Sequence, residues 1–521
     1  MEKIFSFWSR HRYAICTLLV FAAGVIVRTA FPDTPGGLNQ DEARAAYEAF
    51  SLANYGIDTH GYANPVYFVS WGSGMNVLYS YVLIPFVKLF GLSAQVARLP
   101  QLIGGILSMP LAFLILRRCC GKKAALIGLA VVAVAPWHIM MSRWGLESNF
   151  VVVFLLSGVY FLLRGLERSP FFMLSAAFFG LSLYCYSIAW LFVPLFLLLT
   201  VLYCIRTGRL RLSFSAVLSA VILMLLAAPL VLFLLVNTGF MSEIKTPFFS
   251  VPLLSSMRSG EFVSSFGDLS VSLSNLGKLL LTQNDGLSWN SIPSFGMYYL
   301  FALPPALIGA FCGAKALLAA FRQREFQGAA LPFLWLLSSL IVSALLIDPN
   351  INRINILHMP MLFSCALGIC RLVEKWRRAL PAVLALLYTL SFAAFSGVYF
   401  NTYAHEIAST FRSGYERIAD CIVSRAPSNA PVVCDSSVEP MLLLFYLQYP
   451  APAFVNTVVY TNAPSPWLHI GSFGRFIFDG SMENPSRDTV YILQRSDALT
   501  FRDLGFTVEY CTAELAVAWF E

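Results

Sequence analysis

Charged residues are scarce in this sequence. Asp, Glu, Lys and Arg make up 12% of its 521 residues, whereas soluble domains contain about 25%. Hydrophobic residues make up 58%, and the mean hydropathy is +0.70. This composition excludes an ordinary soluble globular protein and indicates a membrane protein with many spans.

Several signatures are also missing. There is no P-loop, GxGxxG motif, low-complexity tract or internal repeat, so the sequence predicts no soluble nucleotide-binding module. The 11 cysteines include no CxxC pair and no metal-ligand spacing; Cys421, Cys434 and Cys511 lie in the polar tail, and whether they form a disulfide stays open. The net charge of +7 comes from basic clusters between hydrophobic runs, which argues against a nucleic-acid partner.

Eleven hydrophobic runs predict transmembrane helices. The first has no small-residue cleavage site, so we expect a retained helix rather than a signal peptide. The predicted spans are 13–30, 99–117, 124–141, 149–165, 170–187, 188–205, 214–236, 296–314, 329–347, 355–371 and 380–400.

One more apolar stretch, 75–90, could be counted as a span, but the positive charges argue against it. With eleven spans and a cytoplasmic N-terminus, 19 of the 35 Lys and Arg residues fall in the cytoplasmic segments, as the positive-inside rule expects. A twelfth span would place the RRCCGKK cluster outside. We therefore expect 75–90, which contains Pro85, to be an interfacial or re-entrant helix.

The long polar segments then all fall on the outer side: a first loop (31–98), a long loop (237–295) and the tail (401–521). In the tail, APVVCDSS, RFIFDG, TVYILQR and FTVEYC are typical of strands, and YERIADCIVSR and VEPMLLLFYLQY of helices. The sequence thus predicts an α-helical membrane domain over 1–400 and a small extracytoplasmic α/β domain over 401–521.

The stretch NQDEARAAYEAF predicts an amphipathic helix over 40–55. Asn39 is a favourable N-cap, and Glu42 three positions later completes a capping box. Read locally, the adjacent acids Asp41 and Glu42 are first-turn residues favoured by the helix dipole.

Two other outer segments carry charged and polar residues beside spans. The first, APWHIMMSRWGLESNF, contains His138, Arg143 and Glu147, of which the last two could also form a simple i, i+4 ion pair. The second, IDPNINRINILH, contains Arg353 and His358 at the start of a span. An arginine there suits a phosphate, although one that reaches toward lipid headgroups is the alternative.

The chain resembles the bacterial GT-C superfamily of lipid-carrier-dependent glycosyltransferases, which includes protein mannosyltransferases and aminoarabinose transferases. The likeness is carried by LNQDEARAAYEAFSLANYGIDTHGYANPVYFVSWGSG, YSYVLIPFVKLFGLSAQVARLPQLIGG, APWHIMMSRWGLESN and YCYSIAWLFVPL, and more weakly by NINRINILHMP. It implies an all-α GT-C-like fold of about 11 transmembrane helices with juxtamembrane helices on the outer face.

The resemblance also implies a function: inverting transfer of a sugar from a polyprenyl-phosphate carrier to a hydroxyl of an acceptor protein, lipid or glycan, at the outer face of a bacterial plasma membrane. It makes Asp41 the candidate general base, with the acidic residues Glu42 and Glu147 as further catalytic residues. The predicted substrate- and phosphate-binding residues are Arg143, Arg353, His358 and Tyr186. The resemblance leaves a divalent metal ion open, with Asp41 and Glu147 as its candidate ligands.

A non-catalytic lipid-linked glycan flippase or export component is the alternative function. Transporters more often show internal repeats and ionisable residues at the membrane midplane. Here the polar residues lie in the outer loops and at the ends of spans, which favours the enzyme.

Overall fold

The computed structural model describes residues 2–257, 261–376, 379–478 and 480–520, with side chains from residue 11 onward. Arg377 and Arg378, which the count of cytoplasmic charges includes, lie outside the described residues, as do the side chains of Lys3 and Arg10.

The described chain is mostly helical. In chain order the helices are α1 (Glu2–Thr29), α2 (Gln40–Tyr55), α3 (Leu78–Phe90), α4 (Ala94–Val134), α5 (Pro136–Met141), α6 (Glu147–Glu167), α7 (Phe171–Ser182), α8 (Ala189–Arg206), α9 (Phe214–Asn237), α10 (Phe266–Thr282), α11 (Leu303–Gln323), α12 (Ala330–Ser343), α13 (Asn355–Lys375), α14 (Leu380–Phe400), α15 (Thr402–Glu406), α16 (Tyr415–Ser424), α17 (Pro440–Tyr446), α18 (Ala451–Thr457) and α19 (Ala498–Asp503). The strands are β1 (Ile244–Lys245), β2 (Ser250–Val251), β3 (Val432–Cys434), β4 (Val459–Tyr460), β5 (Ile470–Phe473), β6 (Phe476–Ile477), β7 (Val490–Gln494), β8 (Thr507–Tyr510) and β9 (Leu515–Trp519).

Eight helices among the described residues are long and apolar enough to cross a membrane. The 41-residue helix α4 is interrupted at Gly121, whose φ of 86° is outside the helical range, so the predicted spans 99–117 and 124–141 lie on either side of this break. The second of these spans is broken again at Ala135, which is extended because the helical conformation is disfavoured before Pro136.

Three apolar helices are shorter than a bilayer requires. Helix α3 has 13 residues, α7 has 12 and α12 has 14, whereas a span needs about 20. Residues 75–90 therefore contain a short helix with Pro85 in its interior rather than a full-length span. The predicted runs 170–187 and 329–347 are likewise only partly helical.

The described residues divide into two compact units. The first comprises Met1–Phe31, Gln101–Ala228 and Ser259–Tyr399, and the second Pro32–Pro100, Pro229–Arg258 and Phe400–Glu521. The second unit joins the tail with the first loop and part of the long loop. These units therefore do not coincide with the predicted division at residue 400.

Within the first unit, α11 and α13 pack closely through glycines. A Cβ on Gly309 would lie 1.7 Å from the Ser364 carbonyl oxygen, and one on Gly368 would lie 1.8 Å from the Pro305 carbonyl oxygen. Small residues permit this close approach of two helical backbones. Helix α13 is thereby held in the interior of its unit, with 72% of its most apolar window buried.

Within the second unit, the tail forms a seven-stranded mixed sheet in the order β4-β5-β6-β3-β7-β9-β8. The central strand β3 is parallel to both β6 and β7, and the other pairs are antiparallel. The four predicted strands and two predicted helices of the tail correspond to β3, β6, β7, β8, α16 and α17. An α/β domain follows the membrane helices, as predicted.

Candidate active site

The acidic stretch of the first loop forms the predicted helix within one residue of its expected bounds. Helix α2 begins after Asn39, whose extended backbone and side-chain oxygen cap the first turn, and the capping box with Glu42 is complete. Asp41 lies in this first turn and is exposed. Its backbone N–H donates to the Asn39 side chain at 3.0 Å, so the helix terminus fixes where this carboxylate is presented.

Glu42, unlike the adjacent Asp41, is buried. It is 1% exposed, and its two oxygens accept hydrogen bonds from Nε and Nη2 of Arg98, both at 2.9 Å. The same carboxylate accepts the Asn39 N–H at 3.2 Å. This bidentate, buried pair argues against the catalytic role predicted for Glu42, because its oxygens are engaged in holding the loop.

Arg98 has a second function in this arrangement. It donates to the carbonyl oxygens of Pro35 and Gly37, each at 2.7 Å. The side chain thereby connects the start of α4 to the segment that precedes α2. Arg98 lies in the ARLP part of a stretch that carries the family resemblance, which marks it as a residue of interest. The sequence did not indicate that Glu42 is its partner.

A second carboxylate lies near Asp41 and was not predicted. Glu439, which precedes α17, pairs with Arg412 at 3.1 Å and interacts electrostatically with both Gln40 and Asp41. Burial raises the pKa of Glu439 above its ordinary value; Arg412 and Gln40 oppose this, and the negative charge of Asp41 adds to it. Two acids from distant parts of the sequence therefore interact electrostatically beside the α2 terminus.

The first unit contains Arg143, which was predicted to bind phosphate. Its side chain is 5% exposed, and Nη1 donates to the carbonyl oxygens of Val27 and Arg28 at 3.1 and 2.8 Å. Nη2 donates to the Phe31 carbonyl oxygen. These are the carbonyls at and beyond the end of α1, so Arg143 caps that helix, and its phosphate-binding role stays a prediction.

Arg28 is a second buried arginine at the same helix end. Its Nη1 donates to the Gly24 and Ala133 carbonyl oxygens, and its Nη2 lies 2.6 Å from Nδ1 of His138. Because a guanidinium only donates, Nδ1 of His138 is the acceptor and the ring proton lies on Nε2. His138 is thus buried and hydrogen-bonded to Arg28.

Glu147 is the first residue of α6 and is half-buried. Beside it, Ser148 and Asn149 are linked to α13: Nδ2 of Asn355 donates to the Ser148 carbonyl oxygen at 3.0 Å and to Oδ1 of Asn149 at 2.9 Å. Oδ1 of Asn355 accepts from the Trp137 indole at 3.1 Å. One buried amide thus joins the APWHIMMSRWGLESNF segment to the IDPNINRINILH segment.

Arg353 and His358, the two predicted residues of the IDPNINRINILH segment, differ in accessibility. Arg353 is partly exposed and pairs with Glu261 at 3.0 Å. His358 is buried; its Nε2 donates to the Ile351 carbonyl oxygen at 2.8 Å and its Nδ1 is bonded to the Tyr298 hydroxyl. Both nitrogens of His358 are therefore occupied within the protein, which argues against the predicted phosphate contact.

The remaining predictions concern Tyr186 and a metal ion. Tyr186 lies in the turn between α7 and α8 and is half-buried. In the part of the chain that the structure describes, no group of three or more His, Cys, Asp or Glu side chains is arranged to hold a metal ion. A divalent metal ion with Asp41 and Glu147 as its ligands stays a prediction.

The predicted residues belong to both units: Asp41 and Glu42 to the second, and Arg143, Glu147, Tyr186, Arg353 and His358 to the first. Together with the long apolar helices, they define a multi-pass membrane protein with polar residues at helix ends.

Comparisons with known proteins agree with this class. The family model described as dolichyl-phosphate-mannose-protein mannosyltransferase matches residues 76–239. No curated protein matches the chain in sequence.

Among solved structures, the chain resembles ArnT from Cupriavidus metallidurans in the apo state, with 14% identity and a TM-score of 0.54 over 99% of this chain and 98% of that one. ArnT bound to undecaprenyl phosphate gives the same TM-score and identity over 97% of both chains. The apo oligosaccharyltransferase of Archaeoglobus fulgidus gives a TM-score of 0.51 and 12% identity over 86% of this chain and 64% of that one. The predicted GT-C-like fold class is confirmed by this likeness.

Proposed function

We propose that the chain is an integral-membrane glycosyltransferase, which moves a sugar from a polyprenyl-phosphate carrier to an acceptor hydroxyl at the outer face of the membrane. The fold is shared over nearly the whole chain with ArnT, for which a structure with undecaprenyl phosphate has been solved. The matched mannosyltransferase family model supports the same class of donor.

The observation that carries the choice of catalytic residue is the contrast between two adjacent acids. Glu42 is buried and bound to Arg98, whereas Asp41 is exposed at a capped helix terminus. A general base must reach the hydroxyl that it deprotonates. Only Asp41 of the pair presents its carboxylate to an acceptor.

In this reaction the acceptor oxygen attacks the anomeric carbon of the donor sugar while its proton passes to the Asp41 carboxylate. The bond between that carbon and the phosphate oxygen breaks, and the polyprenyl phosphate leaves with the electron pair. One displacement inverts the anomeric configuration. Charge develops on the leaving phosphate, and a guanidinium beside it stabilises the transition state.

Of the two predicted arginines, Arg353 suits the phosphate better than Arg143. It is partly exposed, and its ion-pair partner Glu261 is itself a third exposed. A phosphate can compete for such a surface pair, because exposed ion pairs contribute at most about 1 kcal/mol. Arg143 would first have to release carbonyl oxygens that it holds in a buried place.

The test is Asp41→Asn in purified protein supplied with a panel of polyprenyl-phosphate sugars, with released carrier and glycosylated product measured by mass spectrometry. We expect a loss of about 10²–10⁴-fold in transfer, the range attributed to a general base. The matched control is Asp420→Asn, another exposed helical aspartate, which should retain full transfer. Near-normal transfer by the Asp41 variant would refute its role as the base.

A further inference from the structure

A cavity of about 390 Å³ lies within the second unit, beside the start of α2. Its volume falls in the range of about 300–1,000 Å³ typical of small-molecule sites. Both Gln40, the residue before Asp41, and Glu439, which interacts electrostatically with Asp41, line this cavity. The cavity therefore adjoins the candidate base.

The lining of this cavity combines aromatic rings with groups that form hydrogen bonds. The aromatic side chains are Trp71, Phe454, Tyr460 and Phe478. The polar side chains are Gln40, Arg44, Thr59, His60, Ser436, Glu439 and His469. A ligand with apolar faces and a polar edge of hydroxyls would match both sets.

The backbone conformation of Trp71 is strained. Its φ is 54°, in the left-handed region that a bulky residue rarely adopts. The following Gly72 cannot carry a side chain, because a Cβ there would lie 2.1 Å from the Ser465 carbonyl oxygen. The Trp71 carbonyl oxygen also accepts the Leu468 N–H at 2.6 Å. Strain of this kind concentrates at functional sites, where the surrounding structure enforces it.

Arg44 is the buried cation of the cavity. Only 5% of it is exposed, its Nη2 donates to the Val69 carbonyl oxygen at 2.8 Å, and its guanidinium carbon lies 6.0 Å from the centre of the Trp71 ring. Its Nε has no hydrogen-bond partner among the described residues. A buried N–H without a partner costs about 1–3 kcal/mol.

The imidazole of His60 is uncharged at neutral pH. Burial, together with the positive charge of Arg44, lowers the pKa of His60 to about 3. Its ring stacks on Tyr460, with 6.1 Å between ring centres, and the Tyr460 hydroxyl lies 3.3 Å from Nε2. Among the lining residues, Arg44 and Glu439 carry opposite charges, and each also pairs with a residue outside the lining: Arg44 with Glu48 at 3.9 Å and Glu439 with Arg412 at 3.1 Å. These charges balance, which suits a neutral ligand.

We infer that this cavity is a saccharide subsite that binds a neutral sugar ring of the acceptor beside Asp41. The aromatic rings pack against the C–H face of the sugar. The hydroxyls of the sugar form hydrogen bonds with Arg44, Glu439 and the neutral His60. This inference rests on the proposed function, since it gives the chemical class of the acceptor. An acceptor peptide is the competing class.

The test uses saturation-transfer-difference NMR on the full-length protein in nanodiscs, with the methyl glycosides of glucose, galactose, mannose and N-acetylglucosamine as probes. We expect transfer to the ring C–H protons of at least one glycoside. Trp71→Ala should reduce this signal at least five-fold, and Trp71→Phe, which keeps a ring, should retain most of it.

Trp467→Ala is the matched control. Trp467 is 50% exposed, does not line the cavity, and belongs to the segment that pairs with Gly72. Its variant should keep the wild-type signal. An unchanged signal in Trp71→Ala, equal losses in both tryptophan variants, or an absence of signal for all four glycosides would each overturn the inference.

The carrier-sugar assay on Asp41→Asn separates this inference from the proposed function. Saccharide binding lost in Trp71→Ala with transfer intact in Asp41→Asn would leave the subsite standing and refute Asp41 as the base, whereas saccharide binding without any transfer by the wild-type protein would refute the reaction itself. Transfer lost in Asp41→Asn with only peptides binding the wild type would support the reaction and refute the saccharide subsite.

Discussion

Replacing Glu42 with Gln removes one charge from a buried ion pair and leaves the shape of the side chain almost unchanged. Glutamine at this position still supports a capping box, so the start of α2 should persist. Arg98, however, keeps its charge in a place where 8% of it is exposed and loses the carboxylate that it binds at 2.9 Å.

The expected cost follows from this burial. Breaking a buried ion pair by removing one partner costs about 3–5 kcal/mol, because the other charge stays buried without compensation. Arg98 retains the carbonyl oxygens of Pro35 and Gly37, and Gln can still accept one of its hydrogen bonds. We therefore expect a somewhat smaller loss, about 2–4 kcal/mol.

The assay pairs thermal unfolding in detergent with transfer activity per folded molecule, for Glu42→Gln and Asp41→Asn side by side. Glu42→Gln should lower the melting temperature by several degrees and keep its activity. Asp41→Asn should keep its melting temperature and lose activity. A Glu42→Gln protein with wild-type stability and abolished transfer would show that Glu42, despite its burial, acts in the chemistry.

Two further changes probe other parts of the structure. Burial and the neighbouring charge of Glu48 raise the pKa of Asp58, against the opposing effect of Arg44, so its protonated form is favoured on folding and wild-type stability should fall as the pH rises from about 4 to 8. Asp58→Asn keeps the oxygen that accepts two backbone N–H groups. Between pH 5 and 8 the free energy of unfolding of this variant should change by on the order of 1–3 kcal/mol less than that of the wild type, measured by denaturation at both pH values. An equal change of stability with pH in both proteins would contradict the assignment. Gly309→Ala should destabilise the α11–α13 interface by about 1–3 kcal/mol or more, which would be measured as a lower melting temperature. Gly277→Ala is the control, because a Cβ there meets nothing within 4 Å, and it should keep the wild-type melting temperature. Equal effects of the two substitutions would refute the close packing.

The membrane helices could be located from the sequence because their signal is local. A run of about 20 apolar residues is sufficient to predict a span, and a helix in the structure overlaps each predicted run. Their lengths were less predictable, since α7 and α12 end where Ser182 and Ser343 are followed by turns. In the tail, β9 was missed because LAVAW is buried at every position, so it lacks the alternation by which a half-buried strand is recognised.

The candidate site was predictable only where its geometry is set by neighbouring residues. Capping is such a case: Asn39 and Glu42 are three residues apart, so the start of α2 and the structural role of Glu42 follow from spacing alone. The proximity of Glu439 to Asp41 depends on the folding of a tail almost 400 positions away, and no local pattern encodes it. The same holds for the cavity, whose rings come from the first loop and the tail. Sequence therefore indicates which residue is a candidate base, whereas the chemistry of what that base meets is visible only in the folded second unit.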